Sequence, residues 1–379
     1  AVELRDGGAR FGGLDVTQAI ATVVGPIARA LRGRDASDQA DIDATLITLD
    51  GTAAKSRLGG NAMVAVSLAV AHAAAAAAGV PLWRYLAHDA DVSLPLPQIQ
   101  IFGGGAHAGR RIDIQDLMLL PLGAETFADA LAIAADVYRA AGELMRDAGR
   151  LAGVADEGGW WPQFASNEDA LEMLVRAIEH AGLRPGHDAA IALDIAASEF
   201  GRDGRYTLAL DGRMFERDDY TALLLGWVRR YPVLSIEDPF AEDDRAGWIA
   251  FTRAAPAQLQ IVGDDYLVTR DTLVAAAAAD HACNAALIKV NQAGTLSETH
   301  AALMAARDAG FGGIVSARSG ETEDVSIAHL AVGWNAGQIK VGAFARGERM
   351  AKWNELLRIE ESMGAAARFA GARVLPGRR

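Results

Sequence analysis

The chain has 379 residues, more than a single core usually organises, so two domains or a small domain plus a barrel are expected. Its formal net charge of −13 argues against a nucleic-acid partner, which needs a basic footprint, but leaves room for a small anionic substrate held by local lysines and arginines. Hydrophobic residues make up 51 % of the chain, yet the longest apolar stretch, Ala62 to Val80, is alanine-rich and contains His72, which reads as a buried helix and not a membrane span.

The opening AVELRDGGARFGG carries charges where an export signal would need an apolar run. The single cysteine, Cys283, sits among apolar residues and reads as a small core side chain, so a reducing, cytoplasmic compartment is expected. From Val16 to His88 apolar residues recur three and four apart, with breaks at Gly33 and Asp50-Gly51, which predicts a helical layer. The proline-rich join at Leu94 to Pro97 divides the chain into residues 1–94 and 95–379.

After that join the texture changes. PQIQIFG and IQDLMLLP read as strands, and amphipathic helices are predicted from about Glu125 to Ala148 and from Asn167 to Ala181. Then AAIALDI, VLSIEDPF, LQIVGDD, AALIKVN, GGIVSA and GQIKVG each precede a helical segment. With the first two, the strands number eight, enough to close a parallel α/β barrel. The acidic run Glu242-Asp243-Asp244 reads as a solvated face.

In such a barrel, reacting groups project from the C-terminal ends of strands. Asp194, Glu237, Asp264, Lys289, Ser316 and Lys340 fall there. Three carboxylates from three strands suit a hard cation such as Mg²⁺, and no His/Cys cluster points to zinc. A lysine beside that cation and a second lysine is expected to have a lowered pKa, as a general base requires.

The strings GGGAHAG, ADEGG, LDIAASEF, SIEDPF, QIVGDD, LIKVNQAGTLSET, RSGETED and IKVGAFARGERMAKWNELLRIEE resemble the enolase family, in order and over nearly the whole chain. The resemblance implies an enolase-type (β/α)8 barrel behind an N-terminal, mainly helical α+β capping domain. It implies phosphopyruvate hydratase activity on a small phosphorylated hydroxy acid, in glycolysis, with Mg²⁺ and as a homodimer or higher homo-oligomer. By the same resemblance Asp194, Glu237 and Asp264 hold the metal, Lys289 removes the proton beside the substrate carboxylate, and Glu157 protonates the departing hydroxyl. Lys340 supports the carboxylate, Arg318 and Ser319 hold the phosphate, and His107 sits on a loop that closes over the substrate.

Three departures from the family bear on function. Ala317 stands where SHRSGET has an active-site histidine. Asp116 stands where a second acid-side glutamate is usual, one methylene shorter. ELRDG corresponds to a point after the family's opening strands and its serine-bearing second-metal loop; the expectation is that this stretch lies outside the 379 residues, the alternative being a protein that lacks the second-metal loop. The first two changes lie on the side that handles the leaving hydroxyl. They open an alternative, an enolase paralogue with altered chemistry or substrate, and beside it a non-catalytic binding or scaffolding relative. Trp160-Trp161 and the helical tail from Glu348 read as packing, without a catalytic role.

Overall fold

The computed structural model describes residues 1–378. The first part is a layer of helices, the main ones being Gln39–Asp50, Gly60–Ala77 and Leu82–Ala87. Gly60–Ala77 is long and apolar enough to cross a membrane by length and composition. In the fold it joins two cores: Ala62 and Met63 pack with Ile42 and Leu46 of the layer, whereas Ala71 and Ala75 pack into the barrel cluster. Its small side chains let neighbours approach closely, and its one buried hydroxyl is used three times, once to accept from Gln39 Nε2 at 3.1 Å. Ser67 Oγ donates to Asp43 Oδ1 at 2.7 Å and accepts from Leu296 N at 2.9 Å, while Asp43 Oδ2 accepts from Ser297 N at 2.9 Å. A buried carboxylate thus meets the positive end of helix Leu296–Asp308, which fixes the layer against the barrel.

From Leu96 onward the strands are β1 (Leu96–Gly103), β2 (Asp116–Leu120), β3 (Leu151–Val154), β4 (Trp160–Pro162), β5 (Ala190–Asp194), β6 (Gly201–Arg202), β7 (Arg205–Leu208) and β8 (Arg213–Glu216). They continue as β9 (Val233–Glu237), β10 (Gln260–Gly263), β11 (Ala285–Ile288), β12 (Gly312–Ser316) and β13 (Gly337–Gly342). The order β1-β2-β5-β9-β10-β11-β12-β13 closes on itself through β13 and β1, which gives the expected eight-stranded barrel. The β3–β4 hairpin hangs on β1 at Phe102 and Trp160, and β6 to β8 form a separate small sheet.

The barrel is not wholly parallel. β2 runs antiparallel to both neighbours, because the loop from Gly104 to Gln115 joins β1 to β2 with no crossover helix. Both predicted amphipathic helices follow β2 instead, as Phe127–Asp147 and Asn167–His180. The reversal matters for the site: Asp116, the first residue of β2, lands at the same end of the barrel as the last residues of the parallel strands.

The barrel strands are buried on both faces, so their sequences read as near-continuous apolar runs. The polar exceptions satisfy one another. Gln98 Nε2 donates to Gln338 Oε1 at 3.1 Å, Gln338 Nε2 to Gln260 Oε1 at 2.7 Å, and Gln260 Nε2 to Ser235 Oγ at 2.9 Å.

One residue of the acidic run is not solvated. Glu242 and Asp243 are exposed, but Asp244 is buried and caps helix Arg245–Ala254, accepting from Gly247 N at 3.0 Å, Arg217 Nε at 2.9 Å and Tyr206 Oη at 2.8 Å. Local charge density suggested a surface; the N-cap position and a facing arginine put it inside.

Candidate active site

Sheet register brings the acidic residues side by side. Asp116 pairs with Asp194, and Asp194 with Glu237, across three adjacent strands. Asp264 and Lys289 follow the last residues of β10 and β11, and Ser316 ends β12 opposite Lys340. Lys340 does not end its strand, since β13 continues to Gly342, and its side chain reaches inward to three carboxylates. Its Nζ lies 2.7 Å from Asp194 Oδ2, 2.9 Å from Glu237 Oε2 and 3.3 Å from Asp116 Oδ2. Lys289 pairs with Asp264, whose other oxygen accepts from Gln292 Nε2 at 2.9 Å.

These contacts bias the charges of the cluster. Burial alone would depress Lys289, but Asp264 and Glu237 outweigh it and hold the ammonium above its ordinary range. The lowering expected beside a cation is opposed here by Asp264 and Glu237, which raise Lys289 more than burial and Lys340 lower it. Lys340 is raised further, against burial, by Asp194, Glu237 and Asp116. Burial and then Asp194 push Glu237 well up, with Lys340 opposing. Burial and then Glu157 push Asp116 up to about 7. Two left-handed non-glycine residues, Ala196 (φ 49°) and Asp238 (φ 41°), closely follow Asp194 and Glu237.

Glu157 lies in the turn between β3 and β4 and is 7 % exposed. The turn is pressed against the end of β13. A Cβ on Gly158 (φ +93°) would come 2.3 Å from Ala345 O, and one on Gly342 (φ +118°) 2.5 Å from Glu157 O, so both positions need glycine. Glu157, Asp194, Lys289, Ala317, Arg318, Ser319 and Lys340 line one cleft. His107 joins its edge, with Nε2 2.9 Å from Ser319 Oγ.

Glu237 Oε1 is buried without a hydrogen-bond partner among the described residues, and the donor set here is all oxygen, which suits a hard cation. Among the described residues the acidic group close enough to hold a metal is Asp238, Asp264 and Asp265, with carboxylate oxygens within 4.8 Å of one another; it differs from the expected set of Asp194, Glu237 and Asp264. Asp238, however, already accepts from Asp264 N at 2.9 Å and Asp265 N at 2.8 Å, so its carboxylate organises the turn. Asp264 is common to both groups.

Several residues escaped sequence reasoning. Gln115 Nε2 donates to Asp194 Oδ2 at 3.0 Å, and Gln100 joins Asp116 to Gly159. Arg349 is fully buried and donates to the carbonyls of Arg318 at 2.6 Å, Val341 at 2.9 Å and Ser319 at 2.6 Å. Lys352, also buried, donates to Thr322 O at 2.8 Å. The signal was present in the tail: Arg349 and Lys352 fall on the same helical face as Trp353, Leu356 and Ile359, where a solvated charge has no place.

A closed eight-stranded barrel whose acids and lysines gather where its parallel strands end is the TIM-barrel plan, with a helical layer packed alongside. The chain matches the enolase N-terminal domain over residues 1–86 and the enolase C-terminal TIM barrel domain over residues 91–376. It belongs to the enolase family, whose members are typically hydro-lyases that use Mg²⁺.

Proposed function

We propose that this chain is a hydro-lyase that reversibly dehydrates 2-phosphoglycerate to phosphoenolpyruvate with Mg²⁺. The observation that carries the reading is one cleft lined by a lysine, Lys289, and a buried carboxyl, Glu157, with Lys340 also on its wall. A base and an acid on one substrate are what an elimination requires.

Asp194, Glu237 and Asp264 are the residues that would hold the metal. Bound there, Mg²⁺ would supply positive charge against the substrate carboxylate and offset the carboxylate field around the lysines, which is the enolase superfamily's general solution. Lys289 takes the proton from the carbon beside that carboxylate. Lys340 opposes the negative charge that then builds on it. Hydroxide is a poor leaving group, so Glu157 delivers a proton to it, with Asp116 as its partner acid. Arg318 and Ser319 hold the phosphate, and His107, bonded to Ser319, closes the edge of the cleft. A cytoplasmic, glycolytic homodimer or higher homo-oligomer goes with this reading, and sedimentation of the purified chain tests its assembly.

Full-length protein given 2-phosphoglycerate and Mg²⁺ should produce the ultraviolet absorbance of the enol ester. No rise at any Mg²⁺ concentration would sink the reading. A second reading, a paralogue with altered chemistry, is favoured by Ala317, which lines the cleft but can neither donate nor accept a proton through its side chain. Under that reading Ala317→His with Asp116→Glu raises hydratase activity above wild type; an unchanged or lower rate removes it.

A further inference from the structure

We propose that Gln100 is a positioning residue for the leaving-group side of the cleft: it ties Asp116 to the turn that carries Glu157 and decides which Asp116 oxygen faces Lys340. This deepens the dehydration reading and rests on it. Gln100 lies on β1 and is fully buried. Its Oε1 accepts from Gly159 N at 2.7 Å, and its Nε2 donates to Asp116 Oδ1.

The orientation of this amide is not a free choice. A peptide N–H can only donate, so the glutamine oxygen must face Gly159 and its NH₂ must face Asp116. Asp116 Oδ1 is thereby committed as an acceptor. The other oxygen, Oδ2, is the one 3.3 Å from Lys340 Nζ, and it has no hydrogen-bond partner of its own among the described residues.

Two glycines make room for the arrangement. A Cβ on Gly159 would come 2.5 Å from Gln100 Oε1, and one on Gly103 would come 2.5 Å from Ala155 Cβ and 3.3 Å from Gln100 Nε2. Reach matters as much as chemistry. Asp116 is the shorter of the two acids, and the long glutamine arm spans the gap from the neighbouring strand. Moving one methylene from the amide to the acid, as in Gln100→Asn with Asp116→Glu, conserves the combined length.

The test compares wild type, Gln100→Leu, Gln100→Asn, Asp116→Glu and the double variant, each as the full chain with Mg²⁺ and 2-phosphoglycerate. Exchange of the α-proton in D₂O reports proton abstraction, and enol-ester absorbance reports dehydration. Gln100→Leu should keep exchange and KM while losing dehydration kcat by about 100-fold, the scale of a misplaced reacting group. The double variant should dehydrate faster than either single one. In ¹⁵N-labelled protein the Gln100 NH₂ signal should be protected from solvent exchange and should shift in Asp116→Asn.

Equal falls in exchange and dehydration, or a double variant no better than the worse single one, overturn the positioning role. An NH₂ signal indifferent to Asp116→Asn overturns the lock itself. Wild type that neither exchanges nor dehydrates overturns the reaction reading and this role with it, and the NMR arm separates that failure because it needs no turnover.

Discussion

Lys289 and Glu157 share a cleft but serve different halves of the proposed elimination, so their variants should come apart. Lys289→Ala removes the base and should cut α-proton exchange and dehydration together, by about 10²- to 10⁴-fold. Glu157→Gln keeps the shape and loses the acid, so exchange should persist while dehydration falls by a similar factor. Exchange measured by NMR in D₂O separates the two. Loss of exchange in Glu157→Gln would instead assign that carboxyl to the first proton transfer. At this scale the sequence was most legible in the carboxylates, because a polar residue closing an apolar strand run has few other reasons to be there. It was least legible in the lysines' charge, which depends on the through-space approach of Asp264, Glu237 and Asp194.

The helix Gly347–Met363 read as packing, although two charges on its buried face already marked a second role. It packs Trp353 and Leu356 into the core and, from the same face, sends Arg349 to three carbonyls around the loop bearing Arg318 and Ser319. Arg349→Met should leave those carbonyls without their donor. The expected result is a KM for 2-phosphoglycerate raised about tenfold as the phosphate-side loop loosens, with a loss of about 3 kcal/mol in urea unfolding. Stability lost with KM intact would make the arginine a scaffold residue only. The loop after β1 shows the same limit at element scale. A short apolar run identified β2 as a strand, but its direction follows from a connection without a helix, and that direction delivers Asp116 to the site.

For the whole molecule, acid stability should depend on Asp244. Burial pushes its carboxyl up, but Arg217, Gly247 N–H and Tyr206 outweigh that and hold it below its usual 3.8. A depressed folded pKa means that the stabilisation is complete above the unfolded value, about pH 4, and drains away as pH falls through the folded one. Asp244→Asn should therefore be less stable than wild type at neutral pH and show a flatter loss below about pH 4. Urea midpoints measured across that range would check it; parallel curves would mean that other carboxylates dominate.

The sequence by itself determined the eight barrel strands, the helical layer, the order of motifs and most of the residues that close strands at one rim, Lys340 excepted. These follow from periodicity and from polar residues that interrupt it, both of which are local. Only the tertiary structure decided that β2 runs backwards, that Asp244 is buried while its two acidic neighbours are not, that carboxylates pair with Lys289 and Lys340, and that Gln100 and Arg349 bond to Asp116 and to the Arg318 loop. Each of those depends on which side chain from a distant part of the chain comes within hydrogen-bond or Coulomb range, and no spacing along the sequence encodes that distance.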